Sequence, residues 1–301
     1  MRRFLTAFLI ATLVGLPSLA STDTESRFYS NGSGATVLIE EHTATYCQTC
    51  AQIDPMVLDF LRDNGNRAIR VALHPPADDL LGTEISTHRL SLSGENLSVT
   101  PTFVMDGDVV SQGYVDRTDM QLNLRSAELD KRGILSLEAE VLVSGNAIQV
   151  SSPSLSLEPN QRLTIFLVER VVVHDFGTSP NGLDQNHDVA RAMISIDDEN
   201  DVKAEYIPDI WNASVPQNVN HTIRFLLSDG DDPLSFDVVL VVESREEGPN
   251  NILSSTIVRL SEETGDESRV NPLVLVIGIG VMSTLVLSLI HISEPTRRSM
   301  I

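Results

Sequence analysis

The chain has 301 residues, a formal net charge of −21 at pH 7 and two cysteines. This length allows two domains of ordinary size, each with its own buried core. Because 42 acidic residues stand against 21 basic ones, the protein repels nucleic acid, which is therefore excluded as a partner. Two cysteines also exclude a framework of several disulfides.

The first twenty residues are typical of a secretory signal peptide. Two arginines precede the apolar run Phe4 to Leu16, and small residues stand at the cleavage positions. The run is shorter than the roughly 20 residues that a membrane span needs. We therefore expect an exported protein in which residues 1–20 are removed and residues 21–35 form a polar lead.

Residues 36–130 have the pattern of a small α/β domain. Val37 to Ile39 is a buried-strand run, and residues 51–62 carry apolar side chains at helical spacing. A second strand and a β-hairpin with a tight Asp-Gly turn follow. The predicted elements are strand 37–39, helix 51–62, strand 68–73, helix 83–92, strands 102–105 and 109–112, and helix 118–129.

From residue 133 onward, apolar side chains recur at every second residue, the spacing typical of β-strands. Seven strand candidates, separated by turns rich in Asn, Gly, Pro and Asp, predict an all-β sandwich of the immunoglobulin-like type in residues 131–262. The candidates are residues 135–141, 147–151, 163–173, 189–196, 221–227, 236–243 and 252–260.

A second apolar run, Leu273 to Ile290, predicts a transmembrane helix in residues 272–291. It follows an acidic linker, residues 263–271, and two arginines lie in the tail, residues 292–301. By the positive-inside rule we expect a single-pass type I protein with its soluble domains in the periplasm or at the cell surface. The end of the chain also resembles a translated sequencing-library adapter, which would make the tail an artefact.

The motif Cys47-Gln48-Thr49-Cys50 lies between the first strand and its helix. Unpaired N–H groups and the positive dipole end at a helix start stabilise a thiolate, the form that attacks disulfides. Cys50, one turn along, is then placed to resolve the mixed disulfide. Zinc needs about four ligands, and no second cysteine pair exists, so we expect no metal.

The chain resembles the thioredoxin superfamily in three features. They are this motif, a proline five residues after it, and the segment Thr100-Pro101-Thr102 before an Asp-Gly turn. The closest resemblance is to the exported thioredoxin-like proteins related to a 28-kilodalton bacterial outer-membrane protein, through residues 72–75 and 187–191. The resemblance implies an α/β thioredoxin-like domain in residues 36–130, then an all-β sandwich domain and a single transmembrane helix.

The resemblance also implies roles for particular residues. Pro101 would follow a cis peptide bond beside the cysteines, where Thr100 and Pro101 bind an extended partner segment. Glu41 matches a buried carboxylate that accepts the proton of Cys50, and the alternative is an exposed acid at a strand end. Tyr46, in place of the family's usual tryptophan, and His74 are candidates for tuning Cys47. For His74 the alternative is a local cap.

The resulting hypothesis is a membrane-anchored, extracytoplasmic thiol–disulfide oxidoreductase whose only redox group is the Cys47–Cys50 disulfide. Its partners would be thiols and disulfides of exported proteins, together with a separate electron donor or acceptor. The alternative is a non-enzymatic cell-envelope protein that binds partners through its β-sandwich. In that protein the disulfide would be an inert structural cross-link of the loop. The pattern favours the enzyme, because a disulfide that closes so short a loop stabilises a fold little.

Overall fold

The computed structural model describes residues 25–30, 34–93, 99–131, 136–175, 177–216, 219, 221–244 and 251–261. Within these ranges lie three α-helices, α1 (Gln48–Asn64), α2 (Glu84–Leu92) and α3 (Arg117–Asp130). The strands in the same ranges are β1 (Ser26–Tyr29), β2 (Val37–His42), β3 (Ala68–Leu73), β4 (Thr102–Met105), β5 (Asp108–Gln112), β6 (Glu140–Ser144), β7 (Ala147–Ser151), β8 (Gln161–Val173), β9 (Gln185–Ile196), β10 (Val202–Tyr206), β11 (Asn212–Ser214), β12 (Thr222–Leu226), β13 (Phe236–Ser244) and β14 (Ile252–Arg259).

Helix α1 follows from an apolar stripe and two end signals. Ile53, Val57 and Phe60 recur at helical spacing and are buried on one face. Cys47 caps the first turn, and Gly65, with a φ of 54°, ends the helix in a conformation that favours glycine. The capping residue of this helix is therefore the first cysteine of the motif.

The larger sheet has the strand order β14-β13-β8-β9-β3-β2-β4-β5, and β10 also pairs with β9. β2 and β3 are parallel because the chain crosses between them through α1. β4 is antiparallel to β2, so His42 lies between Leu73 and Thr102. Consequently the segments that follow β2 and β3 and the one that precedes β4 meet at one end of the sheet.

The smaller sheet, with the order β1-β6-β7-β12-β11, packs against the larger one. The core between them combines Val141, Ile148 and Phe225 of the smaller sheet with Ile165 and Leu240 of the larger. All five side chains are buried. This apolar layer is the interior of a β-sandwich.

The helices cover the remaining surfaces of the larger sheet. α1 and α3 pack on β2 and β4 through Phe60, Leu124 and Phe103. α2 contributes Ile85 to a separate cluster with Phe166. Because neighbouring residues of a strand face opposite sides, the sheet is covered on both faces.

The strand partners overturn the expected fold class. An α/β thioredoxin-like domain followed by an all-β sandwich domain and a single transmembrane helix is wrong, because the described residues form mainly β-sheet with three α-helices. β3 pairs in parallel with β9 at Ala72 and Val189, so strands from both halves of the chain share one sheet. The described residues up to Leu260 form one compact unit. The edge of β3 needs hydrogen-bond partners, and a strand of the second half supplies them.

Many single elements nevertheless lie near their predicted positions. α1 and α3 cover the helices predicted for 51–62 and 118–129, and α2 begins one residue after the start predicted for 83–92. After residue 131 the described ranges contain nine strands, β6 to β14, where seven were expected. The added strands β10 and β11 are short and largely exposed, so they lack a clear apolar alternation. The polar lead contributes β1, which pairs with β6.

No helix in the described ranges is both long and apolar enough to cross a membrane. The predicted signal peptide, residues 1–20, and the predicted transmembrane helix, residues 272–291, lie outside the described residues. The acidic linker and the tail lie outside them as well.

Candidate redox site

Cys47 and Cys50 form a disulfide at the start of α1. The Sγ atom of Cys47 accepts a hydrogen bond from the backbone N–H of Cys50 at 3.0 Å. Cys47 is 8% exposed and Cys50 is 2% exposed. The first cysteine is thus the more accessible one, and its sulfur faces the positive end of a 17-residue helix.

The predicted proline loop lies against this pair. The Thr100–Pro101 peptide bond is cis. The carbonyl oxygen of Thr100 is 3.5 Å from the Cys47 sulfur, and the carbonyl of Pro101 accepts a hydrogen bond from Gly113 at 2.7 Å. Tyr46, next to Cys47 in the chain, is 45% exposed. The structure therefore brings Thr100 to the disulfide, with Pro101 and Tyr46 as chain neighbours of the contacting residues, and the roles of all three stay predictions.

Arg70 lies at the centre of a buried charge cluster next to α1. Its guanidinium contacts one carboxylate oxygen each of Glu41 at 3.1 Å, Asp54 at 2.8 Å and Asp188 at 2.9 Å. Asp54 comes four residues after Cys50 on the same helix, a spacing that places both residues on one face. The cluster therefore connects Glu41 to the helix face that carries the second cysteine.

Glu41 is buried, so the alternative of an exposed acid at a strand end does not hold. Burial raises the pKa of Glu41 from its ordinary 4.5 to about 7, although Arg70 acts in the opposite direction. The charge of Asp54 adds to the rise. A carboxyl group with this pKa exchanges its proton near neutral pH, as the predicted relay requires.

The raised pKa of Glu41 predicts a loss of stability with increasing pH. The folded state holds the Glu41 proton more tightly than the unfolded state, so stability falls between pH values of about 4.5 and 7. The expected fall in the free energy of unfolding is on the order of 3 kcal/mol. Urea titrations across this range should show the fall in the native chain and a smaller fall in Glu41→Gln, where Asp106, with a pKa raised to about 6 by burial, still contributes. Glu128→Gln, on the surface, serves as the control, and an unchanged slope in Glu41→Gln would contradict the prediction.

His74 reaches the cysteine loop through Asp79. Its Nδ1 lies 3.1 Å from one carboxylate oxygen of Asp79, while the other accepts the backbone N–H of Thr45 at 2.6 Å. Burial opposes ionisation of Asp79, but the bonds from His74, Leu81 and Thr45 outweigh it and lower the pKa of Asp79. His74 is thus linked to the loop before Cys47 through Asp79, and its effect on Cys47 stays a prediction. Its Nε2 is buried and has no hydrogen-bond partner.

The structure adds Asn181, which the sequence pattern did not indicate. Its side-chain amide donates to the carbonyl oxygens of Ala44 and Cys47, both at 3.3 Å. Its backbone N–H donates to the carbonyl of Thr45 at 2.9 Å. Asn181 lies in the loop between β8 and β9, more than a hundred residues away in the chain. The one available signal was the length of this polar loop, because long loops often carry functional residues.

No group of three or more His, Cys, Asp or Glu residues in the described ranges is arranged to hold a metal ion. No protein-family model matches the chain, and no curated protein matches it. A crystal structure of a protein from Agrobacterium tumefaciens is similar, with 13% identity and a TM-score of 0.52 over 77% of this chain and 97% of that chain. At this identity the likeness extends to the overall fold alone.

Proposed function

We propose that this protein is an extracytoplasmic thiol–disulfide oxidoreductase that exchanges disulfides with exported proteins. One observation carries the proposal: the Cys47 sulfur caps α1, accepts the N–H of Cys50 and is joined to Cys50 one turn along. The signal-like residues 1–20 support export.

The reduced pair acts in two balanced steps. The Cys47 thiolate attacks a disulfide of the partner, so that a Cys47–partner bond forms and the second partner sulfur leaves as a thiolate that takes up a proton. Cys50 then loses its proton and attacks the Cys47 sulfur. The Cys47–Cys50 bond forms, and the first partner sulfur leaves and is protonated. Two electrons and two protons pass to the partner, and the reverse sequence oxidises a partner dithiol.

Glu41 is the proposed acceptor of the Cys50 proton. Its carboxyl group has a pKa near 7 and is hydrogen-bonded to Arg70, which also contacts Asp54 one helical turn beyond Cys50. Because Arg70 fixes both carboxylates, the proton acceptor is held in a constant position relative to the helix that bears the thiol.

The second candidate is a non-enzymatic envelope protein with an inert disulfide. The burial of the two sulfurs favours it, because a partner must approach Cys47 closely before exchange can occur. On this hypothesis the disulfide would exchange slowly with any thiol and would only fix the loop before α1.

Insulin reduction by the full-length chain separates the two candidates. We expect precipitation of the insulin B chain in the presence of dithiothreitol, at a rate well above that with dithiothreitol alone, and no acceleration by Cys47→Ser. Equal rates for the native chain and Cys47→Ser would reject the oxidoreductase. Equilibration with glutathione then gives the reduction potential, which assigns the direction of exchange: values near −270 mV indicate a reductase and values near about −120 mV an oxidant.

A further inference from the structure

We propose that Asn181 is a positioning residue of the redox pair, which holds Cys47 so that its sulfur faces the N–H of Cys50. This inference rests on the proposed function, since it concerns the same two sulfurs. It extends the site to a residue from the second half of the chain, on the loop that joins β8 to β9.

Asn181 is built into the loop before α1. Its side chain is 8% exposed, and all four of its hydrogen-bonding positions are used. The amide nitrogen donates to the carbonyls of Ala44 and Cys47, and the amide oxygen accepts from Ser179 at 2.9 Å and from Leu183 at 3.1 Å. The orientation of the amide is therefore fixed from both sides.

The carbonyl group of Cys47 is the link between Asn181 and the sulfur. This oxygen accepts the backbone N–H of Ala51 at 3.2 Å, the first hydrogen bond of α1, together with the Asn181 amide. Rotation of the Cys47 backbone would break both bonds and move the sulfur away from the Cys50 N–H. Asp79 also holds this loop, through the backbone N–H of Thr45. Without the Asn181 side chain, the Cys47 carbonyl would lose one of its two donors.

The loop that carries Asn181 is itself anchored next to the cysteine helix. Arg70 pairs with Asp188 at 2.9 Å, close to the start of β9, and Gln48 of α1 donates to the carbonyl of Pro180 at 3.3 Å. The Gln48 contact thus holds the β8–β9 loop against the first turn of α1, and the Arg70 pair ties the start of β9 to β3 beside it.

The test measures the fraction of Cys47 present as thiolate in the reduced protein. In Asn181→Ala and in the uncharged, similarly sized Asn181→Leu, we expect this fraction at neutral pH to fall about tenfold, because the sulfur loses its aligned N–H donor. The pH dependence of iodoacetamide alkylation at Cys47 gives the fraction. The equilibrium constant with glutathione should shift toward the disulfide by a similar factor, a fall in reduction potential of about 30 mV.

Asn186→Ala is the matched control. Asn186 is buried in β9 and pairs with His174 at 2.7 Å, so its replacement removes a buried side-chain hydrogen bond but none of the bonds that Asn181 makes. Thermal unfolding identifies variants that fold, and Asn181→Ser replaces any that does not. The titratable groups around the site are unchanged in all these variants: Glu41, Tyr46, Asp54, Arg70, His74, Asp79 and Asp188.

Each outcome decides the proposal. Unchanged alkylation profiles in the Asn181 variants, or an equal change in Asn186→Ala, would reject the positioning role. Because alkylation needs no protein partner, a native chain that fails in the insulin assay would refute the proposed function alone. A shifted profile in the Asn181 variants would then still support the positioning role.

Discussion

The Cys50→Ser variant is expected to accumulate as a mixed disulfide with its partner. Cys47 is the more accessible cysteine and lies at the positive end of α1, so it forms the bond to the partner. Without the second thiol, intramolecular resolution is lost, and release depends on external thiols. Because a neighbouring group acts at a high effective concentration, we expect release to slow by at least about a hundredfold. Non-reducing electrophoresis after mixing with disulfide-bonded insulin measures the trapped species.

The reciprocal variant provides the control for this experiment. Cys47→Ser retains Cys50, which is 2% exposed and lies inside the first turn of the helix. It should trap no partner, and dithiothreitol should release the partner from Cys50→Ser. Trapping by Cys47→Ser alone would assign the nucleophile to Cys50, and equal trapping by both variants would also contradict the proposed order of steps.

Replacing Arg70 with methionine is expected to lower the free energy of unfolding by about 3–5 kcal/mol at neutral pH. The substitution leaves the carboxylates of Glu41, Asp54 and Asp188 close together without their shared cation. Uncompensated buried charge is costly, and like charges add to the cost. The deficit should shrink as the pH is lowered, because protonation of the carboxylates removes the repulsion. Urea titrations at several pH values provide the measurement.

Arg62→Met is the control for this prediction. Arg62 pairs with Asp59 at 2.6 Å, but its side chain is 72% exposed. Water solvates both partners there, so the expected loss is below about 1 kcal/mol. A loss in Arg70→Met as small as that in Arg62→Met would show that the buried cluster is not held together by its cation.

The local elements of this protein were predictable because their signals lie a few residues apart. The apolar stripe of Ile53, Val57 and Phe60 repeats at helical spacing and indicates α1. Asp106 and Gly107 form the turn between β4 and β5 with positive φ values of 48° and 99°, as their residue types favour. The position of the cysteine pair at the start of α1 follows from the same short-range patterns.

The strand order could not be predicted in the same way. An apolar run such as Ala68 to Leu73 indicates a buried strand, but it does not indicate which strands pair with it on either side. The pairing of Ala72 with Val189 joins residues more than a hundred positions apart, and it makes one sheet from segments that the change of period at residue 133 had separated. The prediction of two successive domains was wrong because of this pairing.

By itself, the sequence determined the helices, most of the strands and the placement of two cysteines at a helix start, because each depends on neighbours in the chain. Only the tertiary structure decided the partners of Arg70 and the contact of Asn181 with Cys47. Those contacts depend on which strand completes the edge of β3 and on how far β8 and β9 extend beyond it. These features depend on how hydrogen-bonding groups and charges are buried across the whole fold. The spacing of residues along the chain does not contain that information.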